Sequence, residues 1–103
     1  MGGRESGGIF EVTDWSKMPT NRKPGKPNSR YDYKPRSHKG NKGPNGEKSS
    51  RWTGPDGRPS ADKDYDHHGT DTHEFPHGHA WENGERGPAV PWGDFNGIHG
   101  YER

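Results

Sequence analysis

Between Asp62 and His79 the sequence runs Asp-Lys-Asp-Tyr-Asp-His-His-Gly-Thr-Asp-Thr-His-Glu-Phe-Pro-His-Gly-His, eighteen residues with five histidines and five acids. Solubility alone does not require that density. Two chemistries do. The first is proton transfer. Cleaving RNA needs a base to take the 2′-OH proton and an acid to protonate the departing 5′-oxygen. An imidazole titrating near pH 6.5 serves either role, and a carboxylate serves as base when its pKa is raised. On this reading Asp62 or Asp64 shares the work with His67 or His68, and Asp71 or Glu74 supports them. Arg58 and Lys63 supply positive charge for the phosphorane-like transition state. The second chemistry is metal binding. His77-Gly-His79 places two imidazoles on one side of an extended segment, and His73 or His68 would complete a site for Zn²⁺ or another divalent metal that activates water. A surface histidine cluster with fortuitous metal affinity accounts for the same composition without turnover, as in a His-rich metal-binding or phage structural module.

These side chains need a scaffold that turns often. Pro55-Asp-Gly57 is a turn signal, because Pro presets φ at the first central position and Gly tolerates φ > 0. The segments around Arg51-Trp-Thr-Gly54 and Ala61–Tyr65 therefore read as a hairpin, with Asp62 and Asp64 on one face of the second strand. Ile9–Val12 and Tyr31–Tyr33 read as further short strands, His73–Trp81 as a short strand or an ordered loop, and Gly87–Pro91 as extended chain. Asp14–Met18 reads as one helical turn stopped by Pro19. The residues after Trp92 read as turns. No segment shows a sustained 3.6-residue period, so little helix is expected.

Composition limits what can hold this together. The chain has 103 residues, 19% hydrophobic, with 17 Gly and 10 Pro. Leu is absent, and the branched aliphatic residues are Ile9, Val12, Val90 and Ile98. An aliphatic core and a membrane-spanning segment are both excluded, the latter needing about 20 consecutive apolar residues. The first residues lack the apolar stretch of a signal peptide. Aromatics make up 11% of the chain, more than a solvating linker carries. They predict a small core of Trp15, Trp52, Trp81, Trp92, Tyr65, Phe75 and Phe95. There is no cysteine, hence no disulfide or thiolate site. The net charge of +1 hides an uneven layout. Lys17–Arg51 holds eleven Lys or Arg against two acids, and 52–85 holds eight acids against Arg58 and Lys63. The basic segment suits phosphate contacts, with Lys34, Arg36, Lys39, Lys42, Lys48 and Arg51 as candidates beside Lys63 of the next stretch, and equally suits a solvated linker.

The run Arg51-Trp-Thr-Gly-Pro-Asp-Gly-Arg58, followed by Asp64-Tyr-Asp-His67, resembles the active-site segment of the ribosome-cleaving RNase colicins. The resemblance implies catalytic roles for Asp64 and His67 and for an acid four residues later, where this chain has Asp71 in place of the family's Glu. The family's downstream catalytic Arg matches Arg86. The pattern Asp62-x-Asp64-Tyr, His68-Gly, His73, Pro76-His77-x-His79-x-Trp81 is similar to the C-terminal modules of bacterial polymorphic toxins, and it favours His68 over His67.

The expectation is thus a mainly β domain: a small twisted antiparallel sheet with long loops, little helix and a flexible basic N-terminal arm. Residues 1–50 would be the Gly/Pro-rich arm with short elements, and 51–103 the compact catalytic core. The resemblance implies a bacterial toxin endoribonuclease cutting ribosomal RNA or tRNA by metal-independent 2′-OH attack. It implies no cofactor, secretion or delivery from a producer cell, action in the target-cell cytoplasm, no membrane anchor and a cognate immunity protein. A metal-dependent nuclease using His73, His77 and His79 is the alternative enzyme.

Overall fold

The computed structural model describes residues 8–66 and 76–102. Seven strands form one mixed sheet: β1 (Ile9–Val12), β2 (Arg30–Tyr33), β3 (Ser49–Thr53), β4 (Pro59–Asp64), β5 (His77–Glu82), β6 (Glu85–Arg86) and β7 (Val90–Pro91). Their spatial order is β1-β2-β3-β4-β5-β6, and β7 also pairs with β5. The protein is mainly β, as the turn-rich sequence predicts, with one helix among the described residues, α1 (Trp92–His99). That helix is neither long nor apolar enough to cross a membrane.

The pairing is antiparallel except between β1 and β2, which run parallel. A parallel pair needs a long crossover, and residues 13–29 provide it, including a 3₁₀ turn at Trp15–Lys17. The sheet therefore extends across residue 50. Within the basic segment, Arg30–Tyr33 is a strand hydrogen-bonded to β3, while Arg36, Lys39 and Lys42 lie in the loop before β3.

The β3–β4 hairpin forms where Pro-Asp-Gly predicts it. Gly57 has φ +80°, and a Cβ there would come within 2.3 Å of the Gly25 carbonyl oxygen, so only glycine fits. Side chains alternate across the sheet. One face of β3 and β4 presents Trp52 and Ala61, which pack with Trp92 and Phe95 of α1 and with Ala80, Val90 and Tyr101. Trp92 stacks between Trp52 and Phe95 at centroid distances of 5.6 and 5.3 Å. Gly78 lies beneath this stack, where a Cβ would approach Phe95 to 2.7 Å.

An ionic cluster flanks the aromatic core. Arg30 meets Asp32 and Glu47 at 2.9 Å each and Glu102 at 3.3 Å. Lys63 donates to Glu102 at 2.5 Å. Burial opposes the charge on Arg30, but Asp32, Glu102 and Glu47 hold its pKa above the ordinary value. Burial, with Glu102 and Glu47 nearby, pushes the Tyr65 hydroxyl well up.

Two sequence expectations are corrected here. Trp15 is not a core residue but 45% exposed, and Trp81 is only half-buried. Trp52, Trp92, Tyr65 and Phe95 are buried as expected, and Phe75 lies outside the described residues. The residues after Trp92 form a helix rather than turns. With Gly93 and Gly97 inside it, its propensity is poor. It is held by burial of Trp92 and Phe95 and ends on Gly100 in the left-handed conformation, φ 68°.

Candidate active site

On the face opposite the aromatic core, register builds two rungs across β3, β4 and β5. Ser49 lies opposite Asp64, which lies opposite His77; Arg51 lies opposite Asp62, which lies opposite His79. Paired residues share a face. The Asp-x-Asp and His-x-His spacings therefore put all four side chains on one surface. This merges Asp64 from the proton-transfer reading with His77 and His79 from the metal reading.

The next strand adds the cation. Asn83 and Gly84 have φ of 54° and 78°, which is the two-residue hairpin turn that Asn-Gly favours. It returns the chain so that Arg86 pairs with Trp81, and its guanidinium reaches the face that carries His79. Arg86 spans both carboxylates, donating Nε to Asp62 Oδ2 at 3.1 Å and Nη2 to Asp64 Oδ2 at 2.7 Å.

The two aspartates then differ in kind. Asp62 accepts both Nε and Nη2 of Arg51, at 2.6 and 2.9 Å, and the Trp81 indole N–H at 3.1 Å. It is 1% exposed and anchors the sheet. Asp64 lies at the edge of a cleft of about 480 Å³, lined also by Trp15, Tyr33, Lys48, Ser49, Asp66 and Arg86. Its Oδ1 accepts from Ser49 Oγ at 3.0 Å. Its Oδ2 is approached by His77 Nε2 at 3.3 Å and His79 Nε2 at 3.4 Å, besides Arg86.

Burial would raise the Asp64 pKa, but His79, Arg86 and Ser49 hold it well below the usual carboxylate range. A carboxylate base for RNA cleavage needs the opposite shift. Asp64 is thus held as an ionised acceptor, and the Nε2 atoms of His77 and His79 are buried beside it. His79 is held through both ring nitrogens. Its Nδ1 lies 2.8 Å from the Gly87 carbonyl oxygen. A carbonyl only accepts, so Nδ1 carries the hydrogen and Nε2 faces Asp64. A proton on Nε2 turns that approach into a charge-assisted contact.

The remaining sequence candidates separate clearly. Arg58 is exposed beside Asp56 and donates to the Asn21 carbonyl. It stands at the opposite end of β4 from Asp64, about 20 Å along a strand of this length. Lys63 points to the aromatic face, 4.7 Å from the ring centroids of Trp92 and Tyr65. Arg51 is buried, and Lys34 pairs with Glu11 at 2.8 Å. Lys48 lines the cleft and is mostly buried. His67, His68, Asp71, His73 and Glu74 lie outside the described residues. Sequence reasoning did not single out Ser49, reached Arg86 only through the resemblance, and assigned Trp15 to the core. The Asn83-Gly84 dipeptide was the signal that could have placed Arg86.

Asp64, His77 and His79 also offer three ligand atoms within 4.8 Å of one another. No family model, curated protein or solved structure matches this chain.

Proposed function

We propose that the protein is an endoribonuclease that cleaves RNA by metal-independent acid–base catalysis. The observation that carries the reading is the convergence of Arg86 and two imidazole nitrogens on one ionised carboxylate oxygen at the edge of a cleft. The acid for the departing 5′-oxygen is the Asp64–His77–His79 group, of which Asp64 lines the cleft. Arg86 stabilises the negative charge that builds on the phosphoryl oxygens. The base for the 2′-OH is His67 or His68, retained from the sequence. Attack of the 2′-oxygen on phosphorus breaks the P–O5′ bond and leaves a 2′,3′-cyclic phosphate and a 5′-OH. The likeness of Arg51–Arg58, Asp64 and Arg86 to the RNase colicins supports this assignment. With it come a bacterial toxin role, ribosomal RNA or tRNA as target, delivery into a target cell and an immunity protein.

The three clustered donor atoms favour a second reading, a Zn²⁺-type centre on Asp64, His77 and His79. Their residue types fit such an ion, which would activate water. The Arg86 guanidinium, 2.7 Å from the same carboxylate oxygen, opposes a second cation there, so the metal-free reading ranks first. Incubation with ribosomes and total tRNA, with and without EDTA, separates them. Discrete fragments with cyclic phosphate ends in EDTA support acid–base cleavage. Activity lost in EDTA and restored by Zn²⁺ supports the metal centre, and no fragments under either condition defeats both.

A further inference from the structure

We propose that Trp15, backed by Tyr33, is a stacking platform for one unpaired nucleobase of the RNA. This rests on the RNA-cleavage reading of the same cleft and adds how the substrate is held. Trp15 is 45% exposed in a chain with few apolar residues to spare, whereas Trp52 and Trp92 are buried. It lines the cleft that Asp64 and Arg86 also line.

The ring is held firmly for an exposed side chain. The Asp14 carboxylate accepts the Ser16 N–H at 3.0 Å and caps the 3₁₀ turn that carries Trp15. Tyr33 meets the indole edge-on, with centroids 5.0 Å apart and planes at 70°. The Arg51 guanidinium covers one ring face at 5.5 Å and lies 5.0 Å from the Trp81 ring as well. Asp62 and the Pro19 carbonyl fix that guanidinium in turn. A ring held this way loses little freedom when a flat partner stacks on its open face. Single-stranded RNA is bound in this manner, with bases on aromatic rings and cations on the backbone. Lys48 and Arg86 line the same cleft beside Asp64 and Asp66.

The test uses the full chain, a 2′-O-methyl oligonucleotide, which lacks the nucleophile and cannot be cut, and an abasic oligonucleotide of equal length. Trp15→Ala should weaken binding of the base-bearing probe about ten- to a hundred-fold and leave the abasic probe unchanged. Trp15→Phe should stay within a few-fold of the parent and abolish the tryptophan quenching that titration produces. Near-UV circular dichroism checks folding, and Trp15→Phe keeps the test valid should Trp15→Ala unfold. Equal binding by parent and variants with quenching retained, equal losses on both probes, or no binding by the parent overturns the proposal. Since the probe cannot be cut, stacking without ribonuclease activity defeats only the earlier reading. Cleavage with Trp15-independent binding defeats only this one.

Discussion

The two faces of β3, β4 and β5 carry opposite residue chemistries. One face joins Trp52, Ala61, Trp92 and Phe95 under a helix. The other joins Ser49, Arg51, Asp62, Asp64, His77 and His79, with Trp15 on the cleft side of Arg51. On the first face, stacked rings exclude water. On the second, each aspartate is matched to a guanidinium, and charge is buried only where it is paired. In a chain so poor in aliphatics, aromatic stacking bordered by the Arg30 and Lys63 ion pairs fills one layer, and ion pairing between aspartates and guanidinium groups fills the other. The period-two alternation of the strands keeps the Asp62 and Asp64 side chains off the aromatic face.

That contrast is open to attack. The largest effect expected is on the polar face: Asp64→Asn should lower RNA cleavage about 10²–10⁴-fold, because it removes the carboxylate on which His77, His79 and Arg86 converge. Its thermal unfolding should remain cooperative. Retained activity in this variant would remove Asp64 from the chemistry. Trp52→Ala should do the reverse, costing about 3–5 kcal/mol in urea unfolding. Asp62→Ala divides the polar face itself. It strands the buried Arg51 guanidinium, and a cost of about 3–5 kcal/mol is expected from the same urea experiment, placing Asp62 with the scaffold.

Acid sharpens the comparison. The folded state holds Asp64 below its ordinary pKa of about 3.9, so its contribution to stability is complete above that value. It is lost as pH falls through the lower folded pKa. Denaturation midpoints should fall below about pH 4, and Asp64→Asn should flatten that limb. A limb of equal steepness in Asp64→Asn would assign acid lability to other carboxylates. The smallest effect belongs to the loop before β3. Replacing Lys39 and Lys42, both exposed, by Ala should weaken RNA binding modestly. It should reduce the salt slope by about 0.7 for each phosphate that is no longer neutralised, measured by titration at several salt concentrations.

Local rules made part of this legible in the sequence. Pro55-Asp-Gly57 marked the hairpin, two-residue spacing put Asp62 beside Asp64 and His77 beside His79, and the lack of aliphatics pointed to an aromatic core. The sequence by itself determined a mainly β, turn-rich chain with its acids and imidazoles arrayed on strand faces. Tertiary structure decided the rest, because it depends on which strands meet and in what register. Pairing β4 with β5 brought Asp64 to His77 and His79, and the β5–β6 turn brought Arg86 to both aspartates. Packing on Trp52 made a helix of a segment whose glycines argue against one. Asp64 illustrates the divide. Its place on the strand face follows from alternation, but its depressed pKa comes from partners 15 to 22 residues away in sequence, and only the folded sheet sets those distances.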